Sequence, residues 1–577
     1  MRFCSSTYVA TTTYSFFLTI PAILLYSVAT MYVDTSKIKK GNKVYIRNLL
    51  RTSYRENGKV KHKTLLNLSI CSQREITAIK LALKHKGNLT ALASIEDIET
   101  VLGKSIGAVW TMKQIAERVQ VSKALGCSKE AKMALLQVVA RVVDQGSRLS
   151  AVRFAKRHAV CEILGINKLD EDDLYENLAW LACKQETIEK KLFNNRYPGK
   201  TPTLFLYDVT SSYLEGDKNE LANWGYNRDK KKGKKQIVIG LLTGPDGLPV
   251  AVRVFEGNTV DTKTVAEQVR ILAGNFGVKD ITLVGDRGML KGPQIAALPD
   301  DFRYVTAISK PQIRKKLCDK IFQYDLFTKK VVEIREGGVR YVLRCNPIRK
   351  KEIARNRESK FDSTKKFADK QTKYLEDHPR ASATKALEKV NAKIKQLATV
   401  KWLLAKEKQR VIIIEKDEEA LSEESLLDGC YVIKSDVPEE DADAQKLHDR
   451  YCDLEMVERA FRTMKTSHLE LRPVFVKKKT STQGHVFVVM LALILQRDLE
   501  NAIRDMNLTV QEAIDELGAI RMQEVKLGDV VIQNIPIPTE IGKEVLKNAS
   551  ITLPKVLPKT TAHVHTKKKL QSERKTV

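Results

Sequence analysis

Thr203–Val209, TLFLYDV, is an apolar strand-like run carrying a single acid near its end, and the order of the elements after it decides how the chain folds. A basic loop, Asn227–Lys235 (NRDKKKGKK), leads to two more strand-like runs, Gln236–Thr243 (QIVIGLLT) and Leu248–Phe255 (LPVAVRVF). GPDG joins these two, and it is good turn chemistry. Helical spacing comes next over Asp261–Phe276, then a short apolar run, Asp280–Asp286 (DITLVGD), again closed by an acid. Strand, two-stranded hairpin, helix, strand: this order predicts a mixed sheet with helices packed against it.

Working outward, residues 34 to 75 read as short strands, with a hairpin over Lys43–Leu68 turning at ENGK. From 76 to 196 the spacing turns helical, as in Lys80–Glu99 and Asp172–Phe193. Thr111–Gly126 could form a helix-turn-helix, but ordinary helical packing explains it more cheaply. Strand character returns over 301–345. Residues 345–398 form a charged helical arm poor in large apolar groups, and strands resume at Arg410–Lys416 and Cys430–Ser435. The ten apolar residues Val486–Leu495 are too few for a membrane span and predict a buried core helix.

The chain has 577 residues, enough for about two to four domains. A net charge of +29, from 99 basic against 70 acidic residues, points to a polyanion, nucleic acid before an anionic membrane. Nine cysteines without a CxxC pair signal neither a zinc ribbon nor a disulfide framework and fit a reducing compartment. No HExxH occurs, His563–His565 is too isolated for a metal site, and the absence of GxxxxGK[ST] disfavours an ATP-driven motor. Residues 3–33 carry no charge before Val33 and compete as a signal sequence, a membrane attachment through residues 14–33, or translated upstream sequence ahead of Met31. We take the last reading, with a cytoplasmic, nucleoid-associated protein.

Three acids hold telling positions in this order: Asp208 at the first strand, Asp286 at the fourth, and Glu458 on the helical stretch Tyr451–Pro473, YCDLEMVERAFRTMKTSHLELRP. Strand ends of such a sheet converge on one edge where a helix adds a third acid, the plan of a ribonuclease H-like core. Carboxylates suit Mg²⁺, a hard ion, and two such ions about 3.5–4 Å apart serve in-line phosphoryl transfer. Glu458, Arg462 and Lys465 share one helix face, and Glu455, at i−3, remains a rival ligand on spacing alone. Asp208 and Asp286 taken singly are equally ordinary turn-forming residues.

The pieces Tyr207–Gly216 (YDVTSSYLEG), Val254–Thr264 (VFEGNTVDTKT), Leu283–Leu290 (LVGDRGML), Val457–Lys465 (VERAFRTMK) and Leu471–Pro473 (LRP) resemble DDE transposases of bacterial insertion sequences, in the IS4-type group and its IS1634-like branch. The resemblance implies a ribonuclease H-like core with the acids on Asp208, Asp286 and Glu458. It also implies an insertion of β structure between the second and third acids, where 171 residues lie. The group's Tyr-Arg-Glu-Lys motif falls on Tyr451, Leu454, Glu458 and Lys465, so the arginine is replaced by Leu454, and Arg462 is a candidate substitute.

The expected architecture is therefore α/β: an apolar extension 1–30, a small β segment 31–75, and a helical candidate DNA-binding domain 76–200. A catalytic core occupies 201–300 and 430–500, with an insertion 301–429 and a C-terminal region 501–577 with a basic tail. Expected cofactors are two Mg²⁺ ions, with Mn²⁺ as a substitute. Expected DNA contacts are Tyr451, Arg462, Lys465, Arg287, Lys230, Lys231 and Lys232, with Trp224 and Tyr213 as aromatics able to stack on a base. Expected partners are duplex DNA, both terminal inverted repeats and target, and a second protomer in a synaptic complex. A nuclease that cuts without joining and a DNA-binding relic are the competing functions.

Overall fold

The computed structural model describes residues 30–40, 43–56, 58–85, 98–199, 201–226, 228–229, 231–328, 331–466, 469–472, 474–527, 530–555, 557 and 562–566. They fall into two compact units. One takes residues up to Val101 with Glu524–Gln533, and the other takes Leu102–Gln523 with Asn534 onward.

In the first unit β1 (Thr30–Lys40), β2 (Lys43–Glu56) and β3 (Lys59–Asn67) form an antiparallel sheet in that order. The expected hairpin is β2–β3, with Glu56 opposite Lys59 and Gly58 supplying the positive φ of +77° that its turn needs. β1 was not foreseen as its partner. Thr30–Val33, the end of the uncharged stretch, pair with Leu50–Ser53 as a strand and not as the end of the membrane attachment that competed with the reading taken. Residues 14–29 lie outside the described residues, among which no helix is long and apolar enough to cross a membrane. Helix α1 (Gln73–Lys84) starts at a reciprocal cap: the Ser72 N–H donates to Glu75 Oε2 at 2.6 Å and the Glu75 N–H to Ser72 Oγ. Of the helical reading of Lys80–Glu99, Lys80–Lys84 lie in α1, residues 86–97 lie outside the described residues, and Ile98–Glu99 open a strand, Ile98–Ser105.

In the second unit, helices α2 (Lys129–Val143) and α3 (Glu171–Arg196) precede the sheet. Within Thr111–Gly126, Met112, Ile115, Ala116 and Val121 are fully buried, so these turns serve the core as ordinary packing. The sheet strands are β4 (Leu204–Tyr213), β5 (Gln236–Thr243), β6 (Pro249–Glu256), β7 (Ile281–Gly285), β8 (Phe302–Ala307), β9 (Val332–Glu336) and β10 (Val339–Cys345). After helix α4 (Asp261–Arg270), which lies between β6 and β7, come α5 (Pro347–Asp377) and α6 (Ala383–Gln396). The hairpin β11 (Leu403–Lys408) and β12 (Val411–Lys416) and the last sheet strand, β13 (Cys430–Ser435), complete this stretch. The eight sheet strands lie in the order β9-β10-β13-β8-β7-β4-β5-β6. The meander β4-β5-β6 is antiparallel, while β7 and β8 add parallel to β4, which is the ribonuclease H-like arrangement.

The placement of 301–429 as an insertion outside the core is corrected in part. β8 is the fifth strand of the core sheet, and β9 and β10 extend that sheet by pairing through β13. What stands apart is the charged arm, where α5, α6, β11 and β12 enclose a small core of Leu375, Val390, Ile394 and Trp402.

Alternation along β4 separates two faces. Phe205, Tyr207 and Val209 pack with Phe193 and Val265 on one side. Leu206 points to the other, into a large core shared with helices α7 (Ala444–Cys452), α8 (Leu454–Lys465) and α9 (Lys479–Ala502). That core also takes in α2 and α3, so packing is continuous across residue 200. Val486–Leu495 are all buried on α9, as expected of a core helix. Gly484 lets α9 approach α3, because a Cβ there would sit 2.1 Å from the Leu178 carbonyl oxygen. In an open helix Gly→Ala stabilises by about 1 kcal/mol. Here overpacking dominates, and we expect Gly484→Ala to destabilise the protein by about 1–3 kcal/mol in urea unfolding. An increase in stability would show that this contact is not tight.

Candidate catalytic cleft

Asp208 does not end its strand, as the sequence suggested; β4 continues to Tyr213 against β5, with Asp208 opposite Leu241. What ends is the parallel pairing with β7, whose last partners are Tyr207 and Gly285. Asp208 and Asp286 are the next residues on two neighbouring strands. Leu206 and Val284, two residues earlier on each, both face the core shared with α8. Period-two alternation therefore sends both carboxylates toward that helix.

Helix α8 lays Val457, Ala460, Phe461 and Met464 into the same core, leaving Glu455, Glu458 and Arg462 exposed. The stretch Tyr451–Lys465 is not one helix: α7 ends at Cys452, Asp453 caps it, and α8 begins at Leu454. Asp208, Asp286, Glu455, Glu458, Arg462, Lys465 and Tyr451 line one cleft of about 850 Å³. Leu454 lines it too, and so puts no cation where the resembled motif has arginine.

Burial, then the charges of Asp286 and Glu458, push the Asp208 carboxyl up to about 7, against the pull of the Val209 N–H and of Arg228. The charge of Glu455 acts on the Cys452 thiol. The Tyr451 hydroxyl donates to Asp286 Oδ1 at 3.4 Å, and burial raises its own pKa, so Tyr451 faces an acid of the cleft directly. Lys465 Nζ is nearly buried. It donates to Thr210 Oγ1 at 2.6 Å and pairs at 3.1 Å with Asp229, which also takes the Arg472 guanidinium. Burial lowers the Lys465 pKa while Asp229 opposes the fall.

The other expected contacts lie further out. Arg287 is exposed beside Asp286, Lys232 is exposed, and Lys231 Nζ sits 5.8 Å from the centre of the Tyr213 ring. Trp224 is exposed. Lys230 lies outside the described residues. The sequence reading missed Arg228, Asp229 and Asp261. Arg228 and Asp261 line the cleft as an ion pair. Their signal was present, since Asp261 stands in VFEGNTVDTKT and Arg228 and Asp229 open the basic loop, yet sequence separation hid their meeting.

With this geometry in place, the comparisons with known proteins are direct. Residues 199–495 match the Transposase DDE domain family, and residues 33–95 match the IS1634 family transposase N-terminal domain. The chain belongs to the DDE transposases. Its branch is IS1634, and both matched regions agree with the resemblance read from the acidic motifs. No curated protein matches the chain.

The cleft's donor set suits the divalent ion that DDE transposases use. Its acids offer carboxylate oxygens, and the Asp208 carboxyl, raised by burial first and by Asp286 and Glu458 after it, would be relieved by a cation. Among the described residues no three acidic, histidine or cysteine side chains are gathered closely enough to hold an ion by themselves, so the three acids of the cleft would hold one only together with water and substrate oxygens.

A folded pKa raised to about 7 makes the Asp208 contribution largest below the ordinary carboxylate range and lost as pH rises toward 7. In metal-free buffer Asp208→Asn should therefore raise the thermal midpoint by a few degrees at about pH 8 and leave it unchanged at about pH 4. An equal shift at both pH values would contradict this electrostatic origin.

Proposed function

We propose that this transposase cuts phosphodiesters at the ends of its own element and joins the freed 3′-hydroxyls to target DNA. Asp208, Asp286 and Glu458 are the catalytic and metal-holding acids in this reading. Its main support is that two carboxylates on neighbouring strands, each just past the last parallel pair, and one helix carboxylate face a single cleft. Two Mg²⁺ ions held there would supply charge to activate the attacking oxygen and stabilise the departing one, and Mn²⁺ has the same oxygen preference.

The protein's own groups have separate tasks. Tyr451 fixes Asp286 through its hydroxyl. Arg462, exposed on α8 beside Glu458, is the cation on the helix side available to a phosphate. Lys465 ties α8 to β4 through Thr210 and Asp229, so its main part is to hold the helix acid at the sheet. Lys231 and Lys232, with Lys230 before them, and Arg287 attract the DNA backbone at the margin. Cutting and joining use one site because they differ mainly in the nucleophile. Two protomers holding two ends would form the synaptic complex, in a cytoplasmic, nucleoid-associated setting. The domain plan is a β-rich N-terminal unit and a helical segment ahead of the catalytic core. A nuclease that only cuts lacks the joined product, and covalently linked donor and target DNA separates the two readings.

Asp208→Asn, Asp286→Asn and Glu458→Gln should each reduce Mg²⁺-dependent cleavage of inverted-repeat DNA to background while gel-shift binding of the same DNA persists. Glu455→Gln should keep substantial cleavage, since an exposed charge on a helix contributes only about 0.2–0.5 kcal/mol. Wild-type cleavage by any of the first three variants sinks that residue's role, and complete loss in Glu455→Gln makes it the helix ligand instead.

A further inference from the structure

A positive charge already sits inside the acidic cleft, held by a carboxylate other than the three catalytic acids. Arg228 Nη2 pairs with Asp261 Oδ2 at 2.7 Å, with both side chains about 70% buried. The Arg228 N–H donates to Ser211 Oγ at 3.0 Å, which fastens its loop to β4 three residues beyond Asp208. The guanidinium carbon lies 5.8 Å from the centre of the Tyr226 ring. Asp261 is fixed as the first residue of α4, where its carbonyl accepts from Thr264 Oγ1 at 2.6 Å. The Arg228 charge reaches Asp208, whose pKa it lowers. Asp261 in turn faces Asp286: a Cβ on Gly288 would lie 3.5 Å from Asp286 Oδ2 and 3.7 Å from Asp261 Oδ2, so the glycine leaves a gap between the two carboxylates.

The cations of the cleft are thus unevenly committed. Lys465 is nearly buried among Thr210, Asp229 and Arg472, and Leu454 contributes no charge. Arg228 is different, because one partner, itself at the cleft wall, holds a guanidinium that remains partly exposed. A phosphodiester offers the same negative charge and the same paired oxygens as that carboxylate, which guanidinium groups bind bidentately.

We propose that Arg228 and Asp261 form a phosphodiester subsite with its own latch, in which Asp261 holds the guanidinium in the DNA-free protein and an entering phosphate takes its place. The subsite faces α8 across the cleft, so a strand lying there is gripped from the sheet side as well as from Arg462. This inference rests on the DNA-cutting reading of the same cleft. Asp261 acts through Arg228 and is a positioning residue.

The test is a double-mutant cycle on duplex binding in metal-free buffer, where cleavage plays no part. A labelled duplex carrying the inverted repeat and a duplex of unrelated sequence are titrated over a range of salt. Arg228→Gln should weaken binding of both duplexes and reduce the salt slope by about 1. Asp261→Asn frees the guanidinium and should tighten binding by about three- to tenfold. In the double variant that gain should vanish. The cycle is repeated with Arg228→Lys, which keeps the charge but loses the paired donors, and the Asp261→Asn gain should there be smaller. Circular dichroism checks that each variant is folded. An equal gain from Asp261→Asn with and without Arg228 overturns the latch, as does an unchanged salt slope in Arg228→Gln. Failure of the wild-type protein to bind either duplex would instead remove the DNA reading beneath it.

Discussion

The parallel pairing of β4 with β7 is the constraint on which the cleft depends. Its last register pair, Tyr207 with Gly285, leaves Asp208 and Asp286 as the next residues on adjacent strands. Alternation then aims both at the face covered by α8. A slip of one residue on either strand would turn its acid to the opposite face, among Phe205, Tyr207 and Leu283. Hydrophobic pattern and catalytic geometry are therefore set by the same choice. Two charged carboxylates placed side by side repel, and that repulsion adds to burial in raising the Asp208 pKa.

The third acid depends on the helix side being held to the same sheet. α8 packs through Val457, Ala460, Phe461 and Met464, while Lys465, Thr210 and Asp229 bind its end to β4 by polar contacts. Behind it, α9 is buried along Val486–Leu495 and approaches α3 closely at Gly484. The site is thus assembled from segments up to 250 residues apart, but each rests on one continuous core. The charged arm of α5 and α6 has its own small core, and Asn346, which caps α5, lies in the cleft wall.

Much of this was legible in the residues because local chemistry repeats. The apolar run Thr203–Val209, the GPDG turn, the ENGK turn and the apolar run on α9 each announce one element. That order made Asp208 and Asp286 candidates, while Glu455 and Glu458 stayed rivals on spacing and the family resemblance alone chose Glu458. The register of β4 with β7 and the meeting of Arg228 with Asp261 were not legible, since both join segments that spacing cannot connect. β8 read as the start of an insertion because a strand carries no mark of the sheet it joins, and only pairing with β7 places it in the core. The break at Asp453 was hidden for a similar reason. The amphipathic pattern runs through it, while the backbone ends one helix and starts another. Lys465 looked like a DNA contact from its charge, and its buried partners give it a structural task first.

Divalent ions held jointly by Asp208, Asp286 and Glu458 would leave a signature that needs neither DNA nor turnover. Iron-directed cleavage of the polypeptide reads it. Fe²⁺ replaces Mg²⁺ in the purified protein, ascorbate and peroxide generate hydroxyl radicals at the bound ion, and the backbone cuts are mapped. Cuts clustered at the three segments around residues 208, 286 and 458, suppressed together by excess Mg²⁺, are the predicted result. Cuts confined to other segments, or unaffected by Mg²⁺, would contradict it.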